Sequence, residues 1–104
     1  MTTPTKTAPT LEILREHRDE ILRLAEHYGA SNVRVFGSVA RGDATPESDV
    51  DLLMTFRKGS SLYDLSGLLQ DLTELLGTDI TLLSDHDGIR ERLRKNLHRE
   101  AVSL

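Results

Sequence analysis

The chain has 104 residues and a formal net charge of -4 at pH 7, which fits one small domain and argues against direct nucleic-acid binding. It contains no cysteine, so disulfides and cysteine-ligated metal sites are excluded. No apolar run has the length of a membrane span and the N-terminus lacks an apolar signal core, so we expect a cytoplasmic protein without membrane contact.

The N-terminal part predicts a short tail followed by a helix. Residues 1–8 are polar and aperiodic, which is typical of a flexible tail, and we expect the folded domain to span 9–104. Pro9 fits the first turn of a helix, an apolar stripe continues at helical spacing as far as Tyr28, and Gly29 supplies a stop.

Two strands flank a short connection in the middle of the chain. Apolar and polar residues alternate in "NVRVFG", residues 32–37, which predicts the first strand. Residues 38–46 predict a turn or short helix that ends at Pro46. The second strand is "DVDLLMTF", residues 49–56.

The remaining elements are a helix, a strand and a helix. Leucines recur every three or four residues between 62 and 76, which predicts a helix with Ser61 as its cap and Gly77 as its end. "TDITLLS" predicts the third strand, and residues 87–99 predict a last helix with a basic face. We expect that face to be solvated, with contact to an acidic partner or to phosphates as the alternative.

This order of elements predicts an α+β fold with a small mixed sheet. The helix between the second and third strands is a crossover, so these strands should be parallel, whereas the first two can be antiparallel. The terminal "AVSL" can add a short strand. Phe56 and Leu62 flank a loop that we expect near the site described next.

Two aspartates open the second strand at a spacing that suits a metal ion. Asp49 and Asp51 should point to one face, about 7 Å apart along the chain, where two unpaired carboxylates repel each other. Mg²⁺ removes this repulsion, since it binds carboxylates and shares its remaining positions with water and substrate phosphates. The simpler interpretation is a solvated strand end.

A phosphate site can form just before these aspartates. Gly37 allows close approach of a ligand to the backbone, Ser38 offers a hydroxyl, and a helix beginning there would present free N–H groups. Arg41 can add a charge-assisted contact. Each feature alone is ordinary, a turn or a surface arginine, but together they favour a site for a phosphate ligand and its metal.

The segment "GSVARGDATPESDVD" resembles the pattern of the DNA polymerase β nucleotidyltransferase superfamily, and the chain from about residue 10 resembles its minimal nucleotidyltransferase (MNT) branch. The resemblance implies a polymerase β palm-like fold, ATP as substrate and two Mg²⁺ ions. It also implies that Gly37 and Ser38 hold the triphosphate and that Asp49 and Asp51 bind both ions. Members are commonly paired with HEPN-domain toxins in toxin–antitoxin systems. In some pairs the MNT antitoxin transfers AMP from ATP to a tyrosine of the toxin.

The chain departs from this family at a third carboxylate, which in the superfamily lies on the next strand, helps to hold the metal and polarises the attacking hydroxyl. Alignment on Gly77 places Thr81 there, and Asp79 lies two residues earlier on the same face. Asp79 is therefore the candidate third catalytic and metal-binding residue, acting through a water or a shifted register. The alternative is that Asp79 is only a solvated residue at the strand start.

Two functions follow. The first is an Mg²⁺-dependent transfer of a nucleoside monophosphate, AMP from ATP, to a protein hydroxyl such as a tyrosine of a HEPN toxin. The second is a catalytically degenerate MNT antitoxin that neutralises its HEPN partner by binding alone. The third carboxylate discriminates between them.

Overall fold

The computed structural model describes residues 8–84 and 101–104. Within them the chain forms helices α1 (Leu11–Glu16), α2 (Arg18–His27), α3 (Gly37–Arg41) and α4 (Leu62–Leu76), and strands β1 (Ala30–Phe36), β2 (Val50–Phe56), β3 (Ile80–Ser84) and β4 (Val102–Ser103). Most of the predicted tail, residues 1–8, and all of the predicted last helix, residues 87–99, lie outside the described residues.

The strands form one mixed sheet in the order β3-β2-β1-β4. Strand β1 pairs antiparallel with β2 and with β4, whereas β2 and β3 are parallel. The predicted α+β class and mixed sheet are therefore confirmed, including the parallel pair joined by the α4 crossover and the short terminal strand. The central strands are β1 and β2, so both are supported on either side by backbone hydrogen bonds.

The helices cover one face of this sheet and bury its apolar side chains. Alternate residues of β2, namely Val50, Leu52 and Met54, are fully buried in the core. They pack with residues of β1 and the helices: Leu14, Ile21, Ala25, Ala30, Val33, Val35, Val39, Leu68 and Leu72. Because side chains alternate along a strand, Asp51 points to the face opposite that of Val50 and Leu52.

The first predicted helix is interrupted. Thr10, not Pro9, occupies the region of the N-cap, where its hydroxyl accepts a hydrogen bond from the Ile13 N–H at 3.1 Å. At His17 the backbone leaves helical geometry, and its N–H bonds Leu14 O at 3.1 Å, which closes a tighter turn. The apolar stripe continues across this break, which is why periodicity alone predicted one helix.

The helix after β1 also ends earlier than predicted. It stops at Gly42, whose φ of 82° is left-handed, and not at Pro46. The N–H groups of Gly42 and Asp43 both donate to Ser38 O, at 2.9 and 3.0 Å. These bonds close the end of the helix at the Ser38 carbonyl group, and the chain then turns towards β2.

Within the part of the chain that the structure describes, no helix has both the length and the apolar character needed to cross a membrane.

Candidate active site

Gly37 and Asp51 lie against each other where β1 passes into α3. In the antiparallel β1–β2 ladder Phe36 is opposite Asp51, so the next residue, Gly37, meets the Asp51 side chain. Gly37 has a φ of 73°, and a Cβ atom built on it would overlap the Asp51 carboxylate. Glycine is therefore required here for two reasons, the left-handed backbone and the space that the carboxylate occupies.

Asp49 is held near Asp51 by a hydrogen-bonded turn. The Thr45 N–H donates to Ser48 Oγ at 2.8 Å, and the Ser48 N–H donates to Thr45 O at 2.9 Å. The turn delivers the chain to Asp49, which is exposed and lies one residue before β2. The two carboxylates are close enough that the charge of Asp49 acts on Asp51.

The environment of Asp51 opposes its negative charge. Its pKa is raised above the ordinary value of an aspartate, first by partial burial and then by the negative charge of Asp49. The hydroxyl of Thr81 and the positive charge of Arg41 lower the pKa without cancelling this effect. A cation at the two carboxylates would relieve both causes, because it would compensate the charge and supply ligand bonds in place of water.

Thr81 occupies the position opposite Asp51 on the neighbouring strand. In the parallel β2–β3 ladder Asp51 pairs with Thr81, and the Thr81 hydroxyl lies close enough to the Asp51 side chain to lower its pKa. Thr81 is exposed, whereas its neighbours Ile80 and Leu82 pack against the core. The strand face that carries Asp51 therefore continues to a neutral hydroxyl on β3, not to an acid.

Asp79 lies just before β3 with an exposed side chain. Its backbone oxygen accepts a hydrogen bond from the Val50 N–H at 3.0 Å, which fixes its main chain beside the residue that separates the two aspartates. Among the described residues, no three histidine or acidic side chains are grouped closely enough to hold a metal ion. A role for Asp79 as third ligand stays a prediction and would need a bridging water or a side-chain movement.

The other two predicted residues lie in α3. Ser38 is partly buried and follows Gly37 in the first turn, where no described side chain caps the helix. Arg41 is exposed, and its Nε lies 3.4 Å from Asp43 Oδ2 while its charge acts on Asp51. The short helix therefore starts and ends beside the carboxylates.

Sequence reasoning missed Ser48 and misplaced two residues. Ser48 could have been found as the serine directly before an aspartate in a turn that contains proline, where a side chain commonly bonds the backbone. Phe56 and Leu62 were expected near the site, which is wrong. Phe56 ends β2, five residues beyond Asp51, and with Leu62 lines a cavity of about 350 Å³ at the far end of the sheet. The basic face predicted for residues 87–99 lies outside the described residues.

Comparison with known proteins identifies the fold family. The protein-family model described as "Nucleotidyltransferase domain" matches residues 14–103, which include every predicted site residue. The chain belongs to the nucleotidyltransferase domain family. The Gly-Ser and Asp-x-Asp segments of this chain therefore lie within a domain of known type, as the resemblance implied.

Relatives match most of the length of this chain. The protein adenylyltransferase MntA of Thermococcus cleftensis is 36% identical over 90 residues, which are 86% of this chain and 87% of the relative. A solved structure assigned as a minimal nucleotidyltransferase is 45% identical and superposes with a TM-score of 0.82, covering 92% of this chain and 97% of that one. The predicted MNT branch is thus confirmed.

A more distant solved structure shares the fold of this chain. It is the MNT antitoxin of Shewanella oneidensis in complex with a tri-AMPylated HEPN toxin. The match has a TM-score of 0.64 at 15% identity and covers 86% of this chain and 69% of that one. At this identity the likeness shows that the fold is shared.

Proposed function

We propose that the chain is a protein adenylyltransferase that moves AMP from ATP to a tyrosine of a HEPN-domain toxin and thereby acts as its antitoxin. The observation that carries this proposal is the Asp51 carboxylate seated against the Cβ-free Gly37, with Asp49 close beside it. Two negative groups are kept together next to a glycine backbone, which is what a metal-bound phosphate chain needs.

Mg²⁺ is the cation that this pair would hold. Asp49 and Asp51 supply the oxygen ligands that Mg²⁺ prefers, and their mutual repulsion is compensated when a cation lies between them. We propose two ions, with both aspartates contributing to each. Ions bound there would draw charge from the phosphates and stabilise the attacking and leaving oxygens.

The residues around the carboxylates would hold the triphosphate. Gly37 and Ser38 would contact the β- and γ-phosphates through backbone N–H groups and the serine hydroxyl. Arg41 lies near enough to Asp51 to affect its pKa, so a small change of its side chain would bring the guanidinium to a phosphate oxygen. The three residues together fix the α-phosphate for attack.

The transfer itself balances without a further reactant. The acceptor oxygen attacks the α-phosphorus of ATP, the bond from that phosphorus to the bridging oxygen breaks, and pyrophosphate leaves. The acceptor proton passes to solvent or to Asp79. A phenol ionises near pH 10, far more readily than an alkyl hydroxyl, so tyrosine is the acceptor least dependent on a strong base. Thr81 cannot be that base, which favours tyrosine over serine or threonine as acceptor.

The HEPN partner is proposed from relatives. The Shewanella antitoxin shares this fold and is bound to an AMPylated HEPN toxin, and the Thermococcus relative is a protein adenylyltransferase. The small domain buries one core and has little mass with which to enclose an acceptor. The partner would therefore bring its own tyrosine to the sheet face that carries Asp51. We place the reaction in the cytoplasm, where ATP is available.

One experiment tests the proposal. The purified chain is incubated with the product of the gene that neighbours its own, ATP and Mg²⁺, and the intact mass of that product is measured. We expect a nucleotide-sized increment that a tyrosine-to-phenylalanine variant of the acceptor does not acquire. The matched control replaces both Asp49 and Asp51 by asparagine, which keeps their shape and removes their charge. It should abolish the increment and Mg²⁺-dependent ATP binding while leaving the circular dichroism spectrum unchanged. An increment of equal size with this variant would refute the site.

Neutralisation by binding alone is the second candidate. The observation that favours it is the neutral Thr81 opposite Asp51, together with the lack of a three-residue acidic cluster among the described residues. Under this alternative the partner is silenced without an increment, and the Asp49/Asp51 double variant silences it equally well. Asp79→Asn separates the cases further, since it should abolish transfer if Asp79 completes the catalytic site.

A further inference from the structure

We propose that Thr81 is a positioning residue, which donates a hydrogen bond to the Asp51 carboxylate and so holds it in place for the cation that Asp49, Asp51 and the nucleotide bind together. This inference rests on the proposed function for the identity of the ligand. The inference goes beyond the proposed function because it assigns a role to Thr81, which stands where the superfamily has its third carboxylate.

The backbone places the Thr81 hydroxyl where this role requires it. Strands β2 and β3 are parallel with Asp51 opposite Thr81, and the bond from the Val50 N–H to Asp79 O anchors the start of the ladder at 3.0 Å. Paired residues of neighbouring strands point to the same face of a sheet, so the Thr81 hydroxyl lies beside the Asp51 side chain, and since a carboxylate only accepts, the hydroxyl would be the donor. The register of β2 against β3 therefore brings the Thr81 hydroxyl and the Asp51 carboxylate together.

The carboxylate is thus confined from two directions. Gly37 lies against it on the β1 side, where a Cβ would overlap it, and Thr81 lies opposite it on the β3 side. A hydroxyl uses part of the acceptor capacity of one carboxylate and leaves the rest for a cation. The Asp51 side chain therefore loses less conformational entropy when the ion binds, which favours binding.

Because residue 81 is a neutral threonine and not an acid, the affinity for a free cation is also affected. With Thr81 neutral, Asp49 and Asp51 are the acidic side chains that face the proposed ion, so attraction for a free divalent cation is weaker than at a three-carboxylate site. The phosphates of ATP supply the remaining negative ligands. Cation and nucleotide should therefore bind cooperatively, and the cation alone should bind weakly.

The competing interpretation is that Thr81 is merely a β-branched residue on an edge strand. Thr81→Val keeps the branched shape and removes the hydroxyl, whereas Thr81→Ser keeps the hydroxyl and removes a methyl group. Thr78→Val is the matched control, because the Thr78 hydroxyl is buried without a hydrogen-bond partner in the described structure. A purely structural role predicts that valine is harmless at 81.

The test measures Mn²⁺ binding by electron paramagnetic resonance, with and without a non-hydrolysable ATP analogue. In its presence Thr81→Val should weaken Mn²⁺ binding about fivefold to tenfold, the equivalent of one hydrogen bond, while Thr81→Ser and Thr78→Val stay near wild type. Without nucleotide the wild type should bind weakly, and Thr81→Asp should bind at least tenfold more tightly. Equal binding by wild type and Thr81→Val with the analogue would overturn the proposal.

The outcomes also separate this inference from the proposed function. If binding depends on the Thr81 hydroxyl but no AMP reaches the partner, the positioning role stands and the transferase proposal fails. If AMP is transferred and the Thr81→Val variant binds Mn²⁺ and transfers AMP like wild type, the transferase proposal stands and the positioning role fails. If the wild type binds no Mn²⁺ with or without the analogue, both are wrong.

Discussion

Replacement of Gly37 by alanine should damage the site and the fold by separable amounts. A Cβ at the φ of 73° found here strains the backbone by about 1–2 kcal/mol, offset by about 0.4–1 kcal/mol from the loss of unfolded-state freedom. The same Cβ overlaps the Asp51 carboxylate, which must rotate off its preferred angle at a cost of about 0.5–1.5 kcal/mol. Because Asp51 is displaced, we expect Mg²⁺-dependent ATP binding to fall about tenfold or more.

Gly42→Ala is the matched control. Gly42 also has a left-handed φ, 82°, but a Cβ there would meet nothing within 4 Å. Urea unfolding should therefore show Gly37→Ala to be about 1 kcal/mol less stable than Gly42→Ala, which corresponds to a melting temperature lower by about 4–8 °C. In an Asp51→Ala background this difference should vanish, since the overlapping group is gone. Calorimetric ATP affinity that is equal in the two glycine variants would refute the reasoning.

Three further predictions use urea unfolding. The raised pKa of Asp51 means that its ionised form disfavours folding, so Asp51→Asn should stabilise the metal-free chain at pH 7. That gain should shrink as the pH falls towards about 4, and a pH-independent gain would contradict it. Ser61→Ala removes the capping box of α4 and should cost about 1 kcal/mol without changing ATP affinity. Tyr28→Phe deletes a 2.6 Å hydrogen bond to Asp71 and should lower the unfolding midpoint, again with unchanged ATP affinity; a midpoint at the wild-type value would show that bond to be dispensable.

Local patterns predicted most of the fold because they are decided by neighbours in sequence. Alternation gave the strands, leucine spacing gave α4, and the helical crossover gave the parallel pair. The break at His17 was missed because the apolar stripe continues across it, so burial is unaffected by the change in backbone geometry. The end of α3 was missed because Gly42 accepts a left-handed φ, which stops the helix before Pro46.

For the site, the sequence predicted the cluster but not its details. Gly37, Asp49 and Asp51 are indeed neighbours, since a short connection between paired strands leaves few alternatives. The position of Thr81 opposite Asp51 depends on the register of β2 against β3, which follows a long crossover and cannot be read from spacing. The roles of these residues in binding and catalysis stay predictions.

The compact β1–α3–β2 unit has a consequence for how the site forms. The proposed ligands between Gly37 and Asp51 all lie in or beside the short loop that connects the paired strands β1 and β2. Once these strands have paired, bringing the ligands together costs little loop-closure entropy. The ladder is also the centre of the sheet and carries the buried Val35 and Leu52. Amide hydrogen exchange should therefore report the Val35 and Leu52 N–H groups among the last to exchange, opening together as one cooperative unit.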